Sequence, residues 1–549
     1  MADVVHGGSR RPIVPGRSLF DYADELSIVV PASCRRSGRC HECVVELVRG
    51  GGALSAPTEA ESFLRHGHRL ACQAVVERDG EDVEFAVLRR RLRILMGSDE
   101  AREPTDPVVT VRHGLVHHGE DPIEPLRDHV LGLAMDLGTT TVVLELVDLR
   151  TGGTLAVAAF ENPQRFGGSD VMARISYDAS FPGELRQAVR KAMNHELRRM
   201  YDELGIDRRE VYELVVVGNS TMRDLFLGLD VEPIGRRPFR SITETAVREG
   251  LAATTAVTRL AHQLGILIHP RGRVVGGPLI ASHVGADVAA DLVAVGLADD
   301  APPHGVSVLI DIGTNTEIVV SDGARLVAAS SPAGPAFEGG LVRHGMPGAV
   351  GAIESVRPYR DGFAWRTIGD VEPEGICGSG LIDLLAVLRR TGRMTPTGAF
   401  AGGGREVEVV PERGIGLSRR DASQLAQAKA SNAVGQEVLL RHLGLAPDGV
   451  DRVYLAGAFA NSIDVANAIE IGFLAPYPVE RVRREGNASI RGAKMLLLSG
   501  SLRSRLERLV GEISHVELER EPDFFDLFVD GCRFLPLPAW STDPARGGH

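Results

Sequence analysis

Lysine is almost missing from this 549-residue chain: it occurs only at Lys191, Lys429 and Lys494, and arginine carries nearly all of the positive charge. None of the three follows a glycine, so a phosphate loop of the G-K-[ST] kind is excluded. No G-x-G-x-x-G lies between a strand and a helix, so a dinucleotide site is not indicated either. Six cysteines are too few for a disulfide scaffold. No run of about 18 uncharged apolar residues exists, so no membrane-spanning helix is expected. The first residues lack a basic stretch followed by an apolar one, and a cytoplasmic protein is expected. A basic excess is lacking as well. With 61 Lys and Arg against 73 Asp and Glu the net charge is −12, which disfavours a nucleic-acid binder. What remains is a globular composition, 44% hydrophobic and 24% charged, with 63 glycines for tight loops. Its length suggests three or four domains.

Position says more about the cysteines than number. Cys34, Cys40, Cys43 and Cys72 form C-x5-C-x2-C with a distant fourth member. Without an export signal, such spacing points to metal or redox chemistry. Zinc sites ordinarily use two short pairs. Three ligands on one loop and one from afar match the plant-type [2Fe–2S] arrangement, with one residue more in the first gap. A structural zinc site, or four unrelated thiols, is the alternative. Ser18-Leu19-Phe20-Asp21 reads as a capped helix start, Val44 to Val48 as a strand leaving the loop, and Gly67 to Gln73 as the segment closing the site. Residues 1–95 resemble the ferredoxins that share this spacing. The resemblance implies a β-grasp fold and one [2Fe–2S] cluster on Cys34, Cys40, Cys43 and Cys72. Those ferredoxins carry glycine after the second loop cysteine, whereas His41 stands here. That departure is expected to change the potential or the solvent access of the cluster, and His41 is expected near the face where the electron leaves. Cys377 and Cys532 read as small buried hydrophobes.

A second signal starts at Leu131. A buried-strand pattern ends in Asp136-Leu137-Gly138-Thr139-Thr140, and Val142 to Val147 returns as a strand. In such a D-x-G-T turn glycine lets the backbone approach a phosphate, and threonine hydroxyls and N–H groups donate to it. The aspartate stands where a hydrated Mg²⁺ needs a carboxylate. The plan recurs at Asp311-Ile312-Gly313-Thr314-Asn315-Thr316, again between strands. Two such hairpins form an internal repeat, and facing lobes would put both tips on one nucleotide. This resembles the superfamily of acetate and sugar kinases, heat-shock chaperones and actin, and implies duplicated ribonuclease H-like lobes that bind ATP and Mg²⁺. There, a strand such as Val453 to Ala456 with the turn Gly457-Ala458 holds adenosine, and a glycine turn such as Gly375 to Gly380 opens a helix crossing between the lobes. Lys429 reads as a nucleotide contact or as a solvated helix face. Glu338, in a glycine-bounded turn, reads as a carboxylate positioning the attacking water or Mg²⁺, or as a structural one.

The expected organisation is multidomain, α+β and α/β: a ferredoxin head at 1–95, a polar, proline-bearing linker at 96–130 that reads as a hinge or as an ordered loop with a short strand at Val108 to Val111, a first lobe with a middle domain at 131–305, a second lobe at 306–540 and a tail at 541–549. The pairing of head and ATPase is similar to the reductive activators of corrinoid proteins over nearly the whole chain. Asn162-Pro163-Gln164, Gly168-Ser169-Asp170-Val171, Gly218-Asn219-Ser220-Thr221-Met222 and Val284-Gly285-Ala286-Asp287 also match that family. The resemblance implies ATP-dependent transfer of one electron from the cluster to the Co(II) corrinoid of a methyltransferase system, restoring Co(I). It also implies an external low-potential reductant and a homodimer, with neither nucleic acid nor membrane as a partner. Rival readings are a redox-sensing small-molecule kinase, an ATP-dependent electron donor to another low-potential enzyme, and a scaffold.

Overall fold

The computed structural model describes residues 2–28, 30–32, 34, 36–65, 67–87, 106–299, 302–457 and 460–540. Residues 96–105 of the expected linker, Ala458 and the tail 541–549 lie outside the described residues.

The head is a five-stranded sheet of β1 (Asp3–His6), β2 (Ser9–Pro12), β3 (Val44–Arg49), β4 (His68–Leu70) and β5 (Val83–Val87), in the order β2-β1-β5-β3-β4. β1 and β5 run parallel at its centre. β5 alternates, with Val83, Phe85 and Val87 inward, as a half-buried strand should. Helix α1 (Leu19–Glu25) lies on this sheet. Ser18 accepts from the Asp21 N–H and Asp21 accepts from the Ser18 N–H, a reciprocal cap that starts the helix where the sequence indicated. Leu19, Phe20, Tyr22 and Ala23 are its buried face.

Beyond the head, the interval expected to be linker is folded in its second part. β6 (Val109–Arg112), β7 (Leu115–His118) and β8 (Asp121–Pro125) form a meander. Arg271 holds it to the first lobe, donating to the carbonyls of Ile123 and Pro122 at 2.7 Å each. A polar composition marks exposure, and this meander is exposed on one side only. Its strands pair with one another, and the body covers its apolar side at Val109, Val116 and Ile123.

The body is a duplication visible in strand order. The first sheet contains β9 (Leu131–Leu137), β10 (Thr141–Asp148), β11 (Thr154–Glu161), β12 (Val211–Val217), β13 (Val257–Leu260) and β14 (Arg273–Gly276), in the order β11-β10-β9-β12-β14-β13. In the second lobe β15 (Ser307–Ile312), β16 (Thr316–Ser321) and β17 (Leu326–Ser331) repeat β9–β11. Three further strands, β18 (Ala352–Tyr359), β19 (Gly362–Thr367) and β20 (Gly375–Ile376), form a small separate sheet, and β21 (Glu406–Val410) pairs with β22 (Ile415–Ser418). β23 (Arg452–Ala456) and β24 (Val482–Gly486) complete the repeat, each parallel to its neighbour as β12 and β14 are. Two helices cross between the lobes, Ala286–Ala294 and Ala488–Leu498. They touch so closely at Gly492 that a Cβ there would lie 2.0 Å from the Ala290 carbonyl oxygen. The helix expected in that role, opened by the glycine turn at 375–380, instead packs on β18 inside the second lobe. Its apolar surface is satisfied locally, and the crossing goes to the pair whose small residues permit close approach.

Candidate functional site

The strands deliver the two hairpins to one cleft. Asp136 sits near the end of β9 and Asp311 at the equivalent place in β15. The turns close by Gly138 N–H to Thr141 O at 2.9 Å and Gly313 N–H to Asn315 O at 3.0 Å. A Cβ on Gly138 would meet the Thr141 carbonyl oxygen at 2.7 Å, so only glycine fits there. Glu338 accepts from the Thr314 hydroxyl and is hydrogen-bonded by Thr140, so one half-buried carboxyl joins both tips. Thr139 receives the Asn219 amide on its hydroxyl at 3.0 Å, and Thr316 continues the second hairpin into β16. Gly457 has a φ of +106°, and a Cβ there would lie 2.2 Å from the Ile312 carbonyl oxygen. The turn after β23 is thereby pressed against the second hairpin. Beside it opens a polar cleft of about 650 Å³, lined by Asn461, Ser462, Arg484, Trp365 and Asp383 among others.

Away from that cleft, carboxyls converge around the two hairpin tips, and the charges acting on them are one another's. Burial pushes Asp136 up to about 7, with the Asn487 amide at 2.8 Å opposing and Asp287 adding to the rise. Burial, then repulsion from Asp287, Asp136 and Glu338, holds Asp311 at about 8. Asp287 is raised by burial to about 6, and Asp291, Glu317 and Glu338 are raised by burial as well. Such a set fits a divalent cation, whose charge would return these groups to their ionised form. Asp287, Asp291, Glu317 and Asn487 were not singled out as site residues from sequence. Asp287 stood in a noted Gly-Ala-Asp segment. Asn487 had no local signal, because it reaches Asp136 from the other lobe.

Lys429 belongs elsewhere. Its ammonium is fully buried and donates to the carbonyls of Gly531, Arg533 and Leu535 at 2.9, 2.8 and 2.9 Å. All three donors are used to fasten the C-terminal segment to the long helix Arg419–His442, so it is neither a nucleotide contact nor a solvated residue.

In the head, the Cys43 and Cys72 sulfurs are 3.4 Å apart and the Cys34 thiol is within hydrogen-bonding reach of Cys40. Burial raises the Cys34 thiol, but hydrogen bonds from Ser37 and from the Cys40 and Arg39 backbones outweigh it and hold Cys34 at about 6. Cys72 is brought to about 6 by its hydrogen bond with Cys43, against burial and with help from Gln73 and the Gly38 N–H. Four cysteines, with N–H groups aimed at the Cys34, Cys43 and Cys72 sulfurs, are the donor set of a thiolate-bound iron–sulfur cluster. Cys377 is buried in the second lobe and donates to the Ile353 carbonyl at 3.3 Å. Cys532 is half-buried beside Lys429.

His41 adopts φ +55°, the left-handed conformation that explains glycine in the related ferredoxins. Its ring stacks on Phe63 with centroids 4.1 Å apart, and its Nδ1 lies 3.0 Å from Glu184 of the first lobe. It therefore faces the body rather than open solvent. Lys191 donates to the Cys40 carbonyl at 2.6 Å and Arg165 pairs with Glu46 at 3.1 Å. The head's apolar core runs on into that of the first lobe through Phe63, Phe166 and Tyr177.

Three family profiles match the chain: a 2Fe-2S iron-sulfur cluster binding domain over residues 5–77, the RACo middle region over 131–300, and the C-terminal domain of RACo, the ASKHA domain, over 305–541. A corrinoid activation enzyme, RamQ, of Eubacterium limosum is 31% identical, covering 74% of this chain and 70% of that protein. A reductase of the Co(II) methylated amine-specific corrinoid protein from Methanosarcina barkeri is 26% identical over 69% of this chain and 71% of its own length. Among solved structures, a reductive activator for corrinoid, iron-sulfur protein superposes with a TM-score of 0.70 at 26% identity, covering 99% of this chain and 100% of that one. Among the described residues no helix is long and apolar enough to cross a membrane.

Proposed function

For a chain that belongs to the RACo family of reductive activators of corrinoid proteins, we propose a one-electron reduction of a Co(II) corrinoid protein to Co(I), driven by ATP. The observation that carries this reading is the coexistence, in one chain, of a four-cysteine head and two D-x-G-T hairpins joined through Glu338.

Cys34, Cys40, Cys43 and Cys72 would hold the [2Fe–2S] cluster, which when bound supplies a one-electron donor near roughly −400 mV. Cys40 and Cys43 are 6% and 1% exposed, so the protein keeps water from that side of the loop. The N–H groups of Gly38, Arg39 and Cys40 stabilise negative charge on the sulfurs. An external low-potential reductant refills the head.

Gly138, Thr139, Thr140, Gly313, Thr314 and Asn315 would cradle the phosphates of ATP, and the turn at Gly457 would lie along the adenosine. Asp136 and Asp311 would hold Mg²⁺ with Asp287 beside them. Glu338, tied to both hairpins, orients their tips rather than working as a free base. ATP favours electron transfer only through a state that it binds better than the alternative. Closure of the lobes on the nucleotide is that state.

The test is anaerobic. The reconstituted protein should show the electron paramagnetic resonance of a reduced [2Fe–2S] cluster and convert Co(II) corrinoid protein to Co(I) only when Mg-ATP is added. Equal rates with and without ATP, or transfer of phosphate to a small substrate, would overturn the reading.

A further inference from the structure

Arg174 is only 1% exposed, yet among the described residues its hydrogen-bond partners are all neutral: the carbonyls of Thr139 at 2.7 Å and Gly168 at 3.0 Å, the Gln164 amide oxygen at 3.4 Å and the Met222 sulfur at 3.0 Å; the Asp170 carboxylate at the start of the same helix acts on it through charge alone. An arginine at this depth ordinarily faces an anion. Thr139 belongs to the first phosphate hairpin, so the place for an anion is next door. Arg174 lies on α2 (Val171–Ser180), and one turn further along the same helix Tyr177, fully buried, donates its hydroxyl to the Phe63 carbonyl of the head. Phe63 is the residue on which His41 stacks. The short segment before α2 binds the same hairpin, the Asn162 amide donating to Gly138 O at 2.8 Å and the Asn162 N–H to Thr140 O at 2.7 Å.

We propose that α2 couples nucleotide at the first phosphate hairpin to the docking of the cluster head, with Arg174 and Tyr177 as its two positioning residues. This rests on the nucleotide reading above. A phosphate at the hairpin is a stronger partner for a guanidinium than the Thr139 carbonyl. As Arg174 turns to it, α2 shifts and the Tyr177 hydroxyl leaves Phe63. The head then loosens from α3 (Glu184–Leu204), where Glu184 and Lys191 hold His41 and the Cys40 carbonyl. One element with two arrangements, biased from both ends, is the physical requirement for such coupling. Reciprocity follows: a head held docked weakens nucleotide binding by the same factor.

Hydrogen–deuterium exchange on the full-length, cluster-loaded protein tests this, with and without Mg²⁺ and a non-hydrolysable ATP analogue. In the wild type the analogue should raise exchange at residues 36–43 and 61–65 by about 3- to 10-fold, the span expected for one hydrogen bond. Tyr177→Phe should exchange faster there before nucleotide is added and respond to it less than about twofold. Lys191→Gln cuts the contact to Cys40 without touching α2; it should also start faster but keep the full nucleotide response. An unchanged or slowed wild type, a Tyr177→Phe that responds like the wild type, or a Lys191→Gln that loses its response would each overturn the coupling. The same data report the hairpins: failure of the analogue to protect residues 137–141 and 312–316 would instead overturn the nucleotide reading.

Discussion

Glu213→Gln is a sharp probe of how the helix Gly500–Val510 is tied to the first lobe. Glu213 is fully buried on β12 and accepts two hydrogen bonds from Arg503, at 2.7 and 2.5 Å, and a third from His118 at 3.0 Å. One carboxylate therefore joins the first sheet, the meander and the helix Gly500–Val510. Burial alone would raise its pKa, but the charge and hydrogen bonds of Arg503, with His118 behind them, bring it down to about 2 from 4.5. A folded pKa below the unfolded value means stability that is present above the unfolded value and lost as pH falls through the folded one. The window is therefore pH 4.5 down to about 2, and a shift of this size corresponds to roughly 3 kcal/mol. Glu213→Gln keeps the shape but strands a mostly buried guanidinium, at a cost of about 3–5 kcal/mol at neutral pH. The assay is urea unfolding of both proteins from pH 7 to pH 2.5. The gap between them should be widest at neutral pH and close by about 3 kcal/mol on acidification. Parallel curves across that range would refute the reasoning, because the difference isolates this carboxylate from all others that titrate there.

Cys43→Ser should abolish cluster assembly and cobalt reduction while leaving nucleotide affinity intact, and Asp311→Asn should keep the cluster but lose Mg-ATP binding and, with it, ATP-driven cobalt reduction. An Asp311→Asn protein that reactivates Co(II) at the normal rate with ATP would sink the coupling of the two halves. Lys429→Met should leave ATP affinity within about threefold of wild type, since a residue without contact to the ligand costs little, but should expose residues 520–535 to protease. A tenfold loss of affinity without that exposure would make Lys429 a nucleotide ligand after all. Gly492→Ala places a methyl 2.0 Å from the Ala290 carbonyl oxygen and should force the crossing helices apart, costing about 1–3 kcal/mol as an overpacked core does. A melting temperature equal to that of the wild type would show that the lobes yield there freely.

Much of this protein is written in local sequence. The four-cysteine spacing, the capped start of α1 and the two D-x-G-T turns depend on residues close together in the chain, and short-range sterics and hydrogen bonding decide them. The duplicated lobes followed from the recurrence of one turn between strands. Other features required the tertiary structure because their partners are far apart in sequence. Lys429 looked like any helix cation until the chain returned a hundred residues later with three carbonyls to fill its donors. The residues from 109 to 125 looked like linker because the surface that covers their few apolar side chains belongs to parts of the chain that follow them. His41 was a visible departure from a glycine, but only the docked lobe gave it Glu184 as a partner, and only the backbone gave the positive φ behind the departure. Asn487 on Asp136, and Arg174 hydrogen-bonded to neutral groups beside the first hairpin, have no signature in composition or spacing. The sequence by itself determined the kinds of chemistry present, because each motif carries its own donors and acceptors. Only the tertiary structure decided how the two sites face one another, because that depends on which surfaces are complementary enough to bury.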